Sequence, residues 1–442
     1  MTTTDRGNHG AKTNGAGDPR VAPSHLEPRV EPRRKVRVLF VNDTARNGGP
    51  GRSLYYILRF LDTDVIHRSV VLPRPGVISE LYEKGGVTED MSFLPDLVEN
   101  PFEPWDRAIE RDDFDAPLAT KAVRLGGNVL RATRGLGRLT AMLRRGRYDL
   151  VYCNGTNADF AGGAVAFSSR VPALWHVRYT SVPPAVRPVH DRLAASKGVR
   201  RIVCVSEAAA GLFPHCRDKV RVIHNALDTS EFDLGAVTPV LRAELGLPEG
   251  AVVFGSQGRI LPRKGYVEMT RAADLALRDL SEEERARCHF VVLGDTPADL
   301  GPDHLAECRD LVAKLGLEKN VHFLGFRVDV KPYVADFDVA VVPSVYPDPL
   351  PRAVIESMAM GKPVLAFDEG GVREMLQNGE AGTLLPAKDV AALGRSFVRY
   401  FRDAALRREQ GKKARERVLA DFDARAQARR IQNEIVRTSG LG

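Results

Sequence analysis

The sequence predicts an α/β protein built from two doubly wound, parallel-sheet domains that face each other across a cleft. Two observations carry this prediction. Short apolar, β-branched runs alternate with helical patterns, and the whole pattern starts again near residue 250. A segment from Asp228 to Gly250 that contains Pro and Gly separates the two sets and is predicted to join the domains. At 442 residues, the chain is long enough for two or three cores.

The predicted strands are apolar along their whole length, as expected for strands that are buried on both faces of a parallel sheet. They comprise residues 36–41, 69–72, 149–153, 173–177 and 202–205 in the first set, and 251–255, 289–294, 321–325, 339–342 and 363–366 in the second. The carboxyl ends of such strands form a crevice in each domain, and two crevices that face each other make a ligand-binding cleft.

Four segments follow from this pattern. Residues 1–34 are polar and rich in Gly, Pro and charge, so a disordered tail is expected there. Residues 35–228 form the first domain, and residues 229–400 form the second. Residues 401–442 are charged and helical, and they are expected to pack back toward the first domain.

The composition narrows the choice of partner and compartment. The net charge of +7 suits an anionic ligand or an anionic membrane surface. The sequence has no nucleic-acid recognition motif, so nucleic acid is not an expected partner, and no run approaches the roughly 20 apolar residues of a membrane helix. The five cysteines form no C-x-x-C pair, which predicts reduced thiols and a cytoplasmic protein.

A basic, glycine-containing motif from Gly255 to Gly265 follows the first strand of the second set. Glycine allows the backbone to approach a ligand closely, and Arg259 and Lys264 place two cations beside that opening. An arginine binds two phosphate oxygens through its planar fork, whereas a lysine supplies a point charge. The motif indicates a diphosphate site, although taken alone it is equally consistent with a turn that carries surface cations.

A second motif spans Pro343 to Val364. It consists of a Pro-rich loop that contains Asp348 and a helix predicted from about Arg352 to Met360, with Glu356 on that helix. The free amides at the start of a helix face anions favourably. The carboxylate of the loop can accept hydrogen bonds from sugar hydroxyls, and that of the helix from ribose hydroxyls.

Together these motifs resemble glycosyltransferase family 4, whose signature is Glu, seven residues, Glu, and then Ala-Met-Ala-x-Gly-x-Pro-Val. The resemblance extends over most of the chain after residue 35 and includes Gly48-Gly49 after the first strand, Val205 to Glu207, and Val222 to Asp228 with Phe232. It implies two Rossmann-like domains in the GT-B arrangement, with residues 35–228 on the acceptor side and residues 229–400 binding the nucleotide-sugar donor. It also implies transfer of a sugar from a nucleoside diphosphate with retention of the anomeric configuration and without a metal or other cofactor.

The resemblance also implies a role for individual residues. The implied catalytic residues are Arg259, Lys264, His176 and Asp348. The implied donor-binding residues are Gly48, Gly49, Gly258, Arg259, Lys264, Phe326, Arg327, Asp348, Leu350, Arg352 and Glu356. Within this set, Arg259 and Lys264 contact the diphosphate, Glu356 the ribose and Asp348 the transferred sugar, and the loop of residues 325–327 flanks the base. His176 lies near the sugar and the leaving phosphate, although without the family a histidine on an apolar strand is more often a core residue.

The sequence departs from the family pattern in the Pro-rich loop that contains Asp348, here called the donor loop. Asp348 is one methylene shorter than the usual Glu, and Pro349 and Pro351 have no amide hydrogen to donate, whereas Leu350 and Arg352 have. Ala226 stands where the hinge usually has Gly. These changes bear on sugar recognition more than on diphosphate binding.

Two further features have a functional and an ordinary interpretation. Asp113-Phe114-Asp115 matches the Asp-x-Asp pattern with which other glycosyltransferases hold a metal, but its polar surroundings favour solvated charge, so no metal site is predicted. Residues 125–143 predict an amphipathic helix decorated with Arg. Such a helix can lie on the inner, anionic face of a membrane, but an ordinary helix packed on the sheet is favoured.

The sequence therefore predicts a retaining hexosyltransferase that moves a sugar from a UDP- or GDP-sugar to a hydroxyl acceptor in polysaccharide, glycolipid or glycoconjugate biosynthesis. A lipid-linked sugar, a polysaccharide and a small molecule are all possible acceptors. Two alternatives stay open: a nucleotide-sugar epimerase of the same architecture, and a non-catalytic scaffold that binds a nucleotide sugar. Product analysis with donor alone identifies the epimerase, and ligand binding without turnover identifies the scaffold.

Overall fold

The two sets of buried strands form two separate parallel sheets in the computed structural model of the chain. The structure describes residues 27–45, 48–97, 118–296 and 303–442, without the side chains of residues 118–125. All strand pairs within both sheets are parallel. This architecture confirms the predicted fold class, and its details position the site.

The first sheet has the order β3-β2-β1-β4-β5-β6-β7 within the described residues. Its strands are β1 Val36–Asn42, β2 Ile66–Leu72, β3 Asp90–Phe93, β4 Leu150–Asn154, β5 Ala173–Val177, β6 Val199–Cys204 and β7 Val220–Val222. Its helices are α1 Gly49–Phe60, α2 Val77–Lys84, α3 Leu118–Arg145, α4 Thr156–Ser169, α5 Arg187–Ala195 and α6 Glu207–Ala210. Neither β3 nor β7, the short strands at the two edges of this sheet, was among the predicted strands.

The second sheet has the order β10-β9-β8-β11-β12-β13 within the described residues. Its strands are β8 Val252–Gln257, β9 Cys288–Leu293, β10 Val321–Phe323, β11 Val339–Val342, β12 Val364–Phe367 and β13 Gly382–Leu385. The helices of this half are α7 Leu241–Glu244, α8 Tyr266–Asp279, α9 Glu282–Arg285, α10 His304–Leu315, α11 Lys331–Val334, α12 Arg352–Ala359, α13 Val372–Met375, α14 Val390–Arg402 and α15 Ala404–Asp421.

A last helix, α16 Ala424–Ser439, returns to the first sheet. The chain crosses between the two halves twice, and the crossings lie side by side because Leu227 and Phe422–Ala424 exchange backbone hydrogen bonds of 3.2 and 2.9 Å. Ile431 and Ile435 of α16 are buried in the same cluster as β1 and α1. The C-terminal segment thus divides: α15 packs on α12 in the second half, and α16 covers the first sheet.

The predicted N-terminal tail lies mainly outside the described residues, which begin at residue 27. Its last residues run along α16, where Val30 N donates to Asn433 Oδ1 at 3.0 Å and Asn433 Nδ2 donates to Pro28 O at 3.0 Å. This contact depends on a helix some 400 positions further along the chain, so the local composition of the tail gives no sign of it.

Helix α3 carries the predicted amphipathic stripe. Leu139 and Leu143 are buried against the first sheet, whereas Val129, nearer the start of the helix, is 51% exposed. The C-terminal half of the stripe therefore packs as in an ordinary surface helix, and membrane contact through the rest stays a prediction. In the described part of the chain, we find no helix with the length and apolarity that a bilayer crossing requires.

Candidate active site

The sheet topology places a crevice in each half at the carboxyl ends of the strands. The direction of winding reverses between β1 and β4 in the first sheet, and between β8 and β11 in the second. Ligands of doubly wound sheets bind at such reversal points. The Gly48-Gly49 segment follows β1, and the basic motif follows β8, so both predicted motifs lie at these points.

The basic motif is held against the end of β11 by a close backbone approach at Gly265. The motif turns through Pro262–Lys264, and Gly265 then adopts a φ of +73° before α8 begins. A Cβ on Gly265 would lie 1.8 Å from Pro343 O. Only glycine fits this position, and the approach brings Lys264 to the loop that contains Asp348.

Lys264 and Asp348 form an ion pair in the cleft. Lys264 Nζ lies 2.7 Å from Asp348 Oδ2, and the two side chains are 22% and 21% exposed. The structure thus brings together the residue predicted to contact the diphosphate and the one predicted to contact the sugar. Arg259 of the same motif is exposed.

The loop around Asp348 rests on a glycine pair that the sequence analysis did not single out. Gly371 N donates to Asp348 O at 2.9 Å. Gly370 has a φ of +63°, and a Cβ on it would lie 2.1 Å from Asp348 O. A Gly-Gly pair directly after β12, at the same end of the sheet as Asp348, was the available sequence signal.

Glu356, the predicted ribose ligand, is held by two side chains. Its carboxylate accepts hydrogen bonds from Gln257 Nε2 at 2.7 Å and from Arg352 Nη2 at 3.0 Å. Gln257 is the last residue of β8, and Arg352 is the first of α12. The carboxylate is therefore fixed at the floor of the cleft, where two strand ends and a helix start converge.

Arg352 also joins the two halves of the protein. Its guanidinium lies 5.3 Å from the ring centroid of Tyr56 on α1 and donates to Ala226 O at 3.3 Å. A Cβ on Gly49 would lie 3.8 Å from Arg352 Cδ, so the structure brings the Gly48-Gly49 segment against the start of α12. The Arg352 side chain binds groups of the protein itself. Its backbone amide is therefore the group predicted to donate a hydrogen bond to a ligand.

The predicted base-flanking loop lies at the outer side of the same cleft. Gly294 N donates to Gly325 O at 2.9 Å, and a Cβ on Gly294 would lie 1.8 Å from Gly258 O, so this loop packs next to the basic motif. Phe326 is 54% exposed. Arg327 binds Glu244 Oε1 at 2.9 Å and Tyr333 Oη at 2.8 Å, so its guanidinium is held by the protein, whereas the ring of Phe326 has no such partner among the described residues.

His176 is not in contact with Lys264 or Asp348 in the described structure. Its Nδ1 is shared by the hydroxyl of Tyr152 and by Arg178 Nη2, and its buried Nε2 has no hydrogen-bond partner among the described residues. The ring lines a small cavity together with Ser53 of α1 and Gln427 of α16. Burial, reinforced by Arg178, lowers the pKa of His176 well below its usual 6.5, so the ring is neutral at pH 7.

The first half instead contacts the donor loop through residues that sequence reasoning missed. Thr180 Oγ1 donates to Pro347 O at 2.6 Å, and Asn225 Nδ2 donates to Leu350 O at 3.4 Å. Arg178, two residues after His176, bonds to Asn225 and to Asn154. The sequence signal available for these residues was their position at the carboxyl ends of strands. Asn154 is the last residue of β4, and Arg178 follows β5.

No group of three or more possible metal ligands occurs among the residues that the structure describes. The Asp113-Phe114-Asp115 triple lies outside those residues. The prediction that no metal is required thus stays a prediction, and its test is given below.

Two family models match consecutive parts of this chain. Residues 102–231 match the model described as Glycosyltransferase Family 4, and residues 237–417 match the model described as Glycosyl transferases group 1. Together the two ranges cover more than half of the chain and contain most of the cleft residues described above. The chain belongs to glycosyltransferase family 4.

Curated relatives of this family 4 chain include glycosyltransferases with different names. A D-inositol 3-phosphate glycosyltransferase of Streptomyces scabiei is 30% identical over 284 residues, which is 60% of this chain and 62% of that protein. The lipopolysaccharide core biosynthesis glycosyltransferase LpsE of Rhizobium meliloti is 27% identical over 208 residues, which is 47% of this chain and 55% of LpsE. Both alignments span less than two thirds of the relative's own length.

Solved structures resemble the family 4 chain over nearly its full length. The HepE protein of Anabaena, solved in complex with UDP-glucose, superposes with a TM-score of 0.69 at 22% identity over 91% of this chain and 98% of HepE. The same protein in complex with UDP gives a TM-score of 0.70 at 21% identity. At this identity, the likeness establishes the shared two-domain fold.

Proposed function

We propose that this protein transfers a hexose-type sugar from a UDP- or GDP-sugar to a hydroxyl acceptor with retention of the anomeric configuration. The observation that carries the proposal is the Lys264–Asp348 ion pair, which joins a phosphate-binding cation and a hydroxyl-binding carboxylate in one cleft. The complexes of HepE with UDP and UDP-glucose support a nucleotide-sugar donor. The names of the relatives support a cyclitol or sugar hydroxyl as the acceptor, within a lipid-linked sugar, a polysaccharide or a small molecule.

The proposed reaction breaks the bond between the anomeric carbon and the diphosphate oxygen, and forms a bond from that carbon to the acceptor oxygen. Negative charge develops on the diphosphate, and fixed cations aimed at it lower the barrier. Lys264 and Arg259 supply this charge from the second half. The acceptor hydroxyl attacks on the face from which the diphosphate leaves, and its proton passes to a phosphate oxygen, so the configuration is retained.

Donor and acceptor sides lie in different halves, so closure of the cleft assembles the site. Thr180 and Asn225 hold the backbone of the donor loop, and the Gly48-Gly49 segment lies against Arg352. Such closure excludes water from a reactive sugar.

Thermal unfolding in the presence of UDP, GDP and ADP and of their sugar conjugates tests the proposal. A nucleotide at 100 times its Kd adds about 2.7 kcal/mol to the free energy of unfolding. We expect a clear rise in Tm with one base, lost in an Arg259→Ala, Lys264→Ala double variant. If none of the nucleotides raises Tm, the proposed function is overturned. Product analysis with the donor that binds, alone and with acceptors, then separates transfer from epimerisation and from binding without turnover.

We also predict that turnover survives removal of divalent metals. Lys264 and Arg259 perform the charge neutralisation for which other glycosyltransferases use a metal. A metal ion would therefore add little to a site that has both cations. Initial rates measured before and after treatment with excess EDTA are expected to agree. A rate that falls with EDTA and returns with Mg²⁺ or Mn²⁺ would contradict metal independence, with addition of Na⁺ at equal ionic strength as the control.

A further inference from the structure

Arg178 is a half-buried cation whose hydrogen-bond partners among the described residues are all neutral. Its Nε donates to Asn154 Oδ1 at 2.7 Å, its Nη1 donates to Asn225 Oδ1, and its Nη2 lies 3.3 Å from His176 Nδ1. A guanidinium has five N–H donors, and these three bonds leave two of them for another acceptor. The carboxyl group of Asp159 acts on Arg178 only at longer range.

The charge of Arg178 persists at neutral pH although its surroundings oppose it. Burial lowers the pKa of Arg178 to about 10, which leaves the guanidinium protonated at pH 7. Burial also raises the pKa of Asp159 well above its usual 3.8 and thereby reduces the negative charge near Arg178. A charge that is partly withdrawn from water without a counter-ion costs stability, and such a cost is characteristic of groups that serve a ligand.

The position of Arg178 relates it to the cleft. Asn225, which accepts from Arg178, itself donates to Leu350 O of the donor loop. Arg352 lies close enough for its charge to lower the pKa of Arg178 further. One arginine from each half therefore faces the same region, beside the start of the 12-residue helix α1 at Gly49. The charge of Arg352 is paired with Glu356, so Arg178 and the helix start are the features that favour an anion there.

We propose that Arg178 binds a phosphate oxyanion in the cleft, and that Asn154 and Asn225 are positioning residues for its guanidinium. The inference rests on the proposed function and adds the first half's own contribution to phosphate recognition. The planar fork of Arg178 suits two oxygens of one phosphate group. That phosphate belongs either to the diphosphate of the donor or to a phosphorylated acceptor, and the two sources share this chemistry.

Calorimetric titration of the full-length protein distinguishes the two sources. Three probes are used: the nucleoside diphosphate that the wild type binds, its nucleoside, and inorganic phosphate added to protein that is saturated with the diphosphate. If the donor is the source, Arg178→Gln weakens diphosphate binding about 10- to 100-fold and leaves nucleoside binding unchanged. If the acceptor is the source, Arg178→Gln keeps diphosphate affinity but loses the binding of inorganic phosphate.

The Tm of the ligand-free variant separates ligand binding from a structural role. Since Arg178 has no described counter-ion, Arg178→Gln is expected to unfold at the wild-type Tm or above it. Arg187→Gln is the matched control, because Arg187 is an arginine of the same half that pairs with Asp191 at 2.8 Å outside the cleft. It should leave all three titrations unchanged. If Arg178→Gln does not fold, Arg178→Lys supplies the same test, since it keeps the charge but loses the fork.

Wild-type affinity of the Arg178 variants for all three probes would overturn the inference. Loss of diphosphate binding in Lys264→Ala, with the binding of both the diphosphate and inorganic phosphate intact in the Arg178 variants, would overturn it while leaving the proposed function intact. A wild-type protein that binds no nucleoside diphosphate would overturn both.

Discussion

Lys264→Ala should lower kcat about 10²- to 10³-fold while the protein stays folded. The expectation follows from the charge that develops on the leaving diphosphate, because loss of one fixed donor at such a site typically raises the barrier by about 2.7–4 kcal/mol. The ion pair with Asp348 is partly open to solvent, at 22% and 21% exposure, and such pairs contribute at most about 1 kcal/mol to stability. Steady-state kinetics with the identified donor, together with Tm, measure both effects.

Lys331→Ala is the control for this prediction. Lys331 lies in the same half and pairs with Asp329 at 3.8 Å outside the cleft, so its loss should leave kcat unchanged. Asp348→Asn distinguishes the two members of the cleft pair, since it should weaken binding of the nucleotide sugar and spare the free nucleoside diphosphate. A Lys264→Ala variant with near wild-type kcat would remove Lys264 from the site.

The second half's part of the candidate site, the Lys264–Asp348 pair and Glu356, could be located from the sequence because its parts lie in short, contiguous segments. Lys264 follows β8 by seven residues, and Asp348 and Glu356 lie within one loop and helix. Local spacing places such residues at the carboxyl ends of neighbouring strands, where the fold class alone says that ligands bind. The glycine pair after β12 obeys the same rule and could have been found by it.

The first half's part of the candidate site was less predictable because its contacts join distant parts of the chain. One series of hydrogen bonds joins Asn154, Arg178, Asn225 and Leu350. No spacing in the sequence indicates such a series. His176 illustrates the same limit. Its ring faces a cavity that is closed by Gln427 of α16, so its surroundings depend on a helix that begins some 250 residues later.

Gly370→Ala should reduce kcat/KM for the nucleotide sugar about 10²-fold and also lower stability. An alanine at a φ of +63° is strained, and its Cβ would lie 2.1 Å from Asp348 O, so the backbone that carries Asp348 must move. A displacement of about 1 Å at a reacting centre can cost 10²-fold in rate. Forcing a methyl group into packed surroundings costs a further 1–3 kcal/mol or so of stability.

Gly316→Ala is a closely matched control. Gly316 has a φ of +67° and no atom within 4 Å of a Cβ built on it. The substitution there measures the left-handed strain alone, which is about 1–2 kcal/mol. The excess loss of Tm in Gly370→Ala over Gly316→Ala is therefore the effect of the contact with the donor loop. Equal stability and equal kcat/KM in the two variants would show that this contact does not position Asp348.

Lys264→Ala and Gly370→Ala should differ in their effect on affinity for the free nucleoside diphosphate, because each changes a different member of the Lys264–Asp348 pair. Lys264→Ala removes a charge and leaves the loop in place, so affinity for the free nucleoside diphosphate should fall together with kcat. Gly370→Ala moves the loop and leaves Lys264 in place, so affinity for the free diphosphate should persist while the sugar is held incorrectly. Loss of diphosphate affinity in Gly370→Ala, measured by calorimetry on folded protein, would mean that the loop and the cation cannot be treated as independent contributions to the site.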